Sequence, residues 1–370
     1  MPVGNTFFRA STALNAAAKK GGNSMKSKTI VKLAGLAAFA VAAFMQPNAA
    51  SAQGNLTLYC TVQEEWCRAV VTAFEKATGI KVAMTRKSSG ELYAQIKAEA
   101  SNPKGDIWWG GTGDPHLQAA EEGLTQEYTS PLNSQLHPWA IKQWEQSKKR
   151  TIGVYSGALG YGFNTKQLAA KKIAEPKCWS DLLNPKLKDE VQIADPNSSG
   201  TSYTMLATMV QLMGEDKGFD FLRKMHKNVN QYTKSGAAPA KAASLGESTI
   251  GIVFQHDLVT FVVQGAPLKV VSPCEGTGYE IGSMSIVKGA KNLESAKRWY
   301  DWALTAEAQE LGAGAKAYQV PSNKSAKTPK EAPDFSKIKF INYDFAKYGS
   351  SAERKRLLAK WDKEIKNLPK

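Results

Sequence analysis

His256 and Asp257 adjoin in Gln255-His256-Asp257, directly after the apolar stretch Gly251 to Phe254, and glutamates follow at 275 and 280. An imidazole beside a carboxylate can ligate a metal, act as a general base or exchange hydrogen bonds with a ligand. The downstream carboxylates add acceptors suited to sugar hydroxyls or to a hard cation. A different chemistry is carried by small residues where strand patterns give way to helix patterns: Thr61, Ser88-Ser89-Gly90, Gly111-Thr112-Gly113, Ser156-Gly157-Ala158 and the run containing Ser199 and Thr201. Helix N-termini offer unpaired N–H groups at the positive end of the dipole, and hydroxyls add donors without bulk, so such loops together suit an anion. Each one alone is a helix cap, and five exceed what capping requires.

Motifs for catalysis are absent: no G-x-S-x-G elbow, no H-E-x-x-H, no phosphate-binding Walker loop and no complete dinucleotide fingerprint. His116, in Asp114-Pro115-His116, could be joined to His256-Asp257 as a split metal site of a phosphohydrolase, but no spacing requires it. The residues read as a binding site rather than an enzyme's, with no cofactor.

The elements that would position these residues follow from the apolar period. Leu56 to Tyr59, Ile80 to Thr85 and Asp106 to Trp109 read as strands; Trp66, Val70 and Phe74 recur on a helix that Gly79 stops, and Ser88 caps a helix bearing Leu92 and Ile96. A second set follows, with strands at Ile152 to Phe163, Val191 to Ala194, Gly251 to Phe254 and Lys269 to Val271, and a helix over Met205 to Met213. From Leu293 a helical pattern runs through Ala296, Trp299, Trp302 and Leu304, and then an irregular tail carries Pro321, Pro329 and Pro333. This alternation predicts an α/β fold, in which ligands sit beyond the carboxyl ends of the strands, where the small-residue loops lie.

The 370 residues, 42% apolar and 22% charged, have an ordinary globular composition and a length suited to two domains. The first 52 contain six basic residues and no acidic one, and six of the fifteen net positive charges lie there, leaving +9 for the rest (15 − 6). From Met25, three lysines precede the apolar run Leu33 to Met45 and then Ala50-Ser51-Ala52, the three regions of a secretory signal. A mature chain from Gln53, exported from the cytoplasm, is expected, with the start codon open between Met1 and Met25. The remaining basic residues are scattered apart from the lysine-rich last stretch, and no nucleic-acid motif accompanies them. Cys60, Cys67, Cys178 and Cys274 all fall in the exported part, where disulfides form, and four cysteines allow three pairings. Proximity favours Cys60–Cys67, which leaves Cys178–Cys274.

Several segments resemble the periplasmic solute-binding proteins of bacterial ABC importers. These are Leu56-Thr57-Leu58-Tyr59, Phe74 to Val82, Ser88-Ser89-Gly90-Glu91-Leu92, Asp106 to Gly111, Gly160 to Thr165, Trp179-Ser180-Asp181-Leu182, Lys288 to Asn292 and Ala303 to Gln309, and they cover essentially all of the mature chain. The resemblance implies an α/β, two-lobed type II periplasmic binding protein with a central ligand cleft. Residues 53–155 plus 280–370 would form lobe 1 and 156–279 lobe 2, after removal of 1–52. Within that family the chain is similar to the ferric-ion-binding-like group, whose Ser-Gly segment for a synergistic phosphate is matched by Ser156-Gly157. The adjacent tyrosines of its iron-binding members are replaced here by Phe254-Gln255-His256-Asp257, which argues against ferric iron.

The His-Asp pair with a glutamate downstream resembles instead the branch that binds hexose phosphates. Carried over, His256, Asp257 and a glutamate, Glu280 in preference to Glu275, would face the sugar. Thr61, Ser88, Ser89, Thr112, Gly113, Ser156, Gly157, Ala158, Ser199 and Thr201 would hold the phosphate. The resemblance thus implies a monomeric periplasmic protein that passes a phosphorylated small molecule to an inner-membrane ABC permease. An organophosphonate, or ferric iron with a synergistic anion, is the alternative cargo.

Overall fold

A computed structural model describes residues 54–369, so the expected export signal and its cleavage point lie outside the described residues. Alternation of strand and helix begins at once: β1 (Asn55–Cys60), α1 (Glu64–Thr78), β2 (Lys81–Arg86), α2 (Ser89–Ala98), β3 (Ile107–Thr112), α3 (Gly113–Glu121) and α4 (Pro138–Gln146). The second set comprises β4 (Ile152–Asn164), α5 (Thr165–Ala170), β5 (Val191–Ala194), α6 (Gly200–Met213), α7 (Glu215–His226), β6 (Val229–Thr233), α8 (Ala238–Leu245), β7 (Ile250–Phe254), α9 (Gln255–Val263) and β8 (Leu268–Val271). The chain continues through β9 (Tyr279–Ile286), α10 (Leu293–Ala303), α11 (Ala306–Gly314), β10 (Val320–Pro321), α12 (Phe345–Tyr348) and α13 (Ser351–Trp361).

Local chemistry sets these bounds, as α1 shows. It buries Trp66, Cys67, Val70 and Phe74 on one face and opens with Glu64 and Glu65, where the dipole favours negative charge. It stops at Gly79, whose φ of 74° is left-handed and whose N–H closes on the Glu75 carbonyl. Both expected disulfides are formed, Cys60–Cys67 and Cys178–Cys274.

The strands lie in the order β2-β1-β3-β9-β4-β7-β5-β6, with β8 and β10 also paired to β4. Two strands join the halves. β9 runs antiparallel to both β3 and β4, while β4 pairs with β9 from Ile152 to Ala158 and with β7 from Leu159 to Phe163. All thirteen residues of β4 are buried, which is why it reads as a continuous run without alternation. β9 escaped the sequence pattern because Ser283 and Ser285 stand where a buried strand would carry apolar residues. Their hydroxyls are satisfied by Gln143 and His116.

Two large cores flank this crossing. Leu56, Val70, Phe74, Trp109, Trp299 and Tyr300 belong to the first, and Phe163, Trp179, Tyr203, Met209, Phe219 and Ile252 to the second. After β9 the chain returns to the first core, where Trp299 meets Phe74 with ring centres 4.8 Å apart. It then crosses back: Tyr343, Phe345, Leu357, Trp361 and Ile365 join the second core, whereas the resemblance placed every residue after 280 with the first lobe. The physical reason is the spacing Leu357, Trp361, Ile365, an apolar row every four residues. The same row corrects the expectation of an irregular tail, since α13 occupies Ser351–Trp361. The halves share one sheet, and the described residues form one contact unit.

Candidate functional site

The carboxyl ends of β1, β2 and β3 from the first half, and the starts of α6 and α9 from the second, open into one cleft. One group lining it consists of small donors. Thr61 follows β1, Ser88 and Ser89 begin α2, Gly111 and Thr112 end β3, and Ser199, Gly200 and Thr201 begin α6. These are close-packed. A Cβ on Gly111, which has φ +81°, would lie 2.3 Å from Ser89 Oγ and 2.4 Å from Thr61 Oγ1. Only glycine fits that turn. Its N–H donates to Tyr155 Oη at 2.9 Å, while Thr61 Oγ1 donates to the Gly110 carbonyl. The Thr112 hydroxyl is buried with no partner among the described residues, although three helix N-termini meet here. An anion would satisfy such a set.

The second group carries the titratable chemistry. His256 Nε2 lies 3.8 Å from Asp257 Oδ1 and 3.7 Å from Glu280 Oε1, and all three side chains are buried. Those distances exceed hydrogen-bond reach, so the polar atoms are not consumed by one another. His256 Nδ1 also lacks a partner among the described residues. Asp257 accepts from Gln63 Nε2, which reaches it from the start of α1 in the first half. Burial holds His256 down at about 3, hence neutral, and pushes Asp257 up to about 7 against the opposing effects of the Gln63 amide and the Arg86 charge. Burial also raises Glu280 well above the carboxylate range, helped by the negative charges of Asp257 and Asp114. A neutral imidazole beside two carboxyl groups that burial makes reluctant to ionise can both donate to and accept from hydroxyls.

Nine of the residues singled out in the sequence line the cleft: Thr61, Ser88, Ser89, Thr112, Ser199, Thr201, His256, Asp257 and Glu280. Four do not. Ser156 turns its hydroxyl to the Glu280 carbonyl at 2.8 Å, Ala158 pairs with Tyr279 inside the sheet, and Gly113 abuts Gln143 and the Ile281 carbonyl. Gly157 is the floor beneath the second group, where a Cβ would lie 2.5 Å from the His256 ring and 3.1 Å from Glu280 Oε1. Ser156, Gly157 and Ala158 lie in β4, where they pair with β9. Glu275 is elsewhere, accepting from the N–H groups of Trp179 and Ser180 at 2.7 and 2.9 Å.

His116 takes no part in a metal site. Nε2 stands 3.1 Å from the Gly110 carbonyl and Nδ1 2.8 Å from Ser285 Oγ, with the ring stacked on Trp108 at 3.6 Å. Burial keeps it neutral, and since a carbonyl only accepts, the proton sits on Nε2. It braces the glycine turn that the first group packs on.

Gln63, Arg86, Tyr155, Phe254 and Gln319 also line the cleft and were not foreseen. Arg86 is the last residue of β2, with Nε on the Val62 carbonyl at 2.9 Å. The rule that picked out the serine loops, the carboxyl end of a strand, would have found it.

The profile of a bacterial extracellular solute-binding protein family matches residues 103–348. An uncharacterized protein of Haemophilus influenzae is 46% identical over 325 residues, 86% of this chain and 93% of that one. The solved structure of the periplasmic binding protein AfuA from Actinobacillus pleuropneumoniae, with exogenous fructose-6-phosphate bound, superposes with TM-score 0.82 at 46% identity, covering 85% of this chain and 100% of that one. A periplasmic protein of Salmonella typhimurium assigned to 2-aminoethylphosphonate binding is 27% identical over 258 residues, 66% of this chain and 70% of that one.

Proposed function

Since the chain belongs to the bacterial extracellular solute-binding protein family, a periplasmic, non-enzymatic component of ABC importers, we propose that its cleft captures a sugar phosphate. The supporting observation is the pairing of two unlike groups in one cleft. Hydroxyls and N–H groups at three helix N-termini suit a phosphate, and His256, Asp257 and Glu280 suit sugar hydroxyls. AfuA, a protein 46% identical to this one, was solved with fructose-6-phosphate bound, which supports a phosphorylated sugar as the solute. The captured solute passes to an inner-membrane permease. Calorimetric titration with fructose 6-phosphate, fructose and inorganic phosphate tests the reading. Tight binding of the first and weak binding of the other two is the expected result, and binding of none of them rejects it.

One observation favours a second reading. Asp257 and Glu280 are two adjacent carboxyl groups that an ammonium would ionise, so an aminoalkylphosphonate would also meet complementary charge at both ends. Titration with 2-aminoethylphosphonate alongside the sugar phosphate separates the two.

A further inference from the structure

Gly90 stands in the first turn of α2, next to Ser89 but outside the lining of the cleft, and its N–H donates to the Ser198 carbonyl of the other half at 2.9 Å. We propose that Gly90 is the residue that permits the two halves to close, and that this backbone contact adds to the affinity for solute without touching the solute. The inference rests on the reading of the cleft as a solute site, though not on which solute it takes.

Nothing local calls for glycine at this position. The conformation is helical, with no positive φ, and glycine is a poor helix residue. The space does call for it. A Cβ on Gly90 would lie 2.3 Å from the Asn197 carbonyl oxygen and 2.9 Å from that of Ser198, atoms of backbone that cannot rotate aside. The opposing loop is also braced from behind. Asn197 N–H and Nδ2 both bond Asp195 Oδ1, at 2.9 and 3.0 Å, and Nδ2 also reaches Asp362 Oδ1 at 2.8 Å. Asp195 in turn holds Lys366 at 2.6 Å, so the C-terminal segment that crosses to the second core buttresses this loop. α2 is fixed to the first half through Leu92 and Ile96, which pack with Tyr59 and Trp108. Each side is thus held by contacts of its own, and the clash is with backbone.

The meeting is reciprocal. A Cβ on Gly200, at the start of α6, would lie 2.0 Å from Thr112 Oγ1 and 3.0 Å from its Cβ and Cγ2, all of the first half, though there the neighbour is a side chain and not backbone. Farther along the cleft, Thr260 Oγ1 donates to the Lys316 carbonyl at 2.7 Å. Observed affinity is the intrinsic affinity multiplied by the share of molecules able to adopt the closed arrangement. A methyl group at position 90 removes that share while leaving every lining residue intact.

The test compares wild type, Gly90→Ala and, as control, Gly314→Ala, a helical glycine with nothing within 4 Å of its Cβ position. Melting of the solute-free proteins checks folding, with Gly90→Ala expected to melt at or above wild type because alanine favours the helix. Calorimetry, stopped-flow dissociation and small-angle scattering with fructose 6-phosphate give the remaining readouts. Gly90→Ala should bind at least about 10-fold more weakly, release faster, and keep its solute-free radius of gyration at saturation, while wild type and Gly314→Ala contract. Binding of Gly90→Ala within twofold of wild type, with equal contraction, overturns the proposal. Failure of wild type to bind fructose 6-phosphate rejects the sugar-phosphate reading instead. The same scattering comparison with 2-aminoethylphosphonate then decides Gly90: contraction of wild type alone supports the proposal, and contraction of both proteins or of neither overturns it.

Discussion

Glu280 Oε1 stands 3.7 Å from His256 Nε2, too far to bond, with both side chains buried. With Asp257 beside them, the cluster holds two carboxyl groups that burial makes reluctant to ionise and an imidazole that burial makes reluctant to protonate.

This arrangement costs stability, with a definite sign. Asp257 titrates at about 7 in the folded protein against 3.8 ordinarily, so its protonated form is the stabilised one. Relative to an unfolded chain, stability is fully retained below about pH 4 and is lost as pH rises toward 7. Asp257→Asn should therefore leave solute-free melting unchanged at pH 4 and raise it at pH 8, by up to a few kcal/mol at roughly 1.4 kcal/mol per pKa unit. Melting curves of both proteins at the two pH values check this, and an equal effect at both contradicts the burial argument.

The same side chain should matter to one end of the ligand. Asp257→Ala should weaken binding of fructose 6-phosphate by about 1.5–3 kcal/mol, the usual worth of a hydrogen bond to a charged group, and change binding of inorganic phosphate much less. Equal losses for the two ligands, measured by calorimetry, would show that the ends are assigned wrongly.

His116 should act on binding from a distance. His116→Ala removes its bonds to Gly110 and Ser285 and its stacking on Trp108, in a fully buried site. Destabilisation of roughly 2–4 kcal/mol is expected, together with weaker capture of inorganic phosphate, because Gly111 loses its support. His116→Gln, which can still donate to the Gly110 carbonyl, should recover more of the phosphate affinity than of the stability. Denaturant melts and phosphate titrations of both variants separate the two contributions.

The two disulfides should differ in worth. Cys178–Cys274 spans 96 residues and Cys60–Cys67 only 7. Chain-entropy arguments give about 4–5 kcal/mol for the long loop and about 2 kcal/mol for the short one. Paired alanine substitutions followed by chemical denaturation would test the order, and a larger loss from the Cys60–Cys67 pair would contradict it.

Legibility of the site followed the range of the interactions involved. Ser88, Ser199 and Thr112 could be read because a helix cap is a local signal, lying between an apolar strand and a 3.6-residue period. Gln63 and Tyr155 could not, since each matters only through a partner far along the chain, Asp257 and Gly111 respectively. Ser156 and Ala158 misled for the converse reason. Small residues at the start of a binding loop and small residues inside a crowded crossing strand look alike in sequence, and pairing with β9 decides between them. The tail was legible in principle, in the row Leu357, Trp361, Ile365, but three prolines upstream masked it.

The amino ends of three helices line one cleft, α2 from one half and α6 and α9 from the other. Each end carries roughly half an elementary positive charge. An anion between these ends would neutralise both halves at once. On the reading proposed above, a neutral sugar at the His256 end would leave these helix ends uncompensated. On the sugar-phosphate reading, charge on the solute would therefore favour closure as well as recognition.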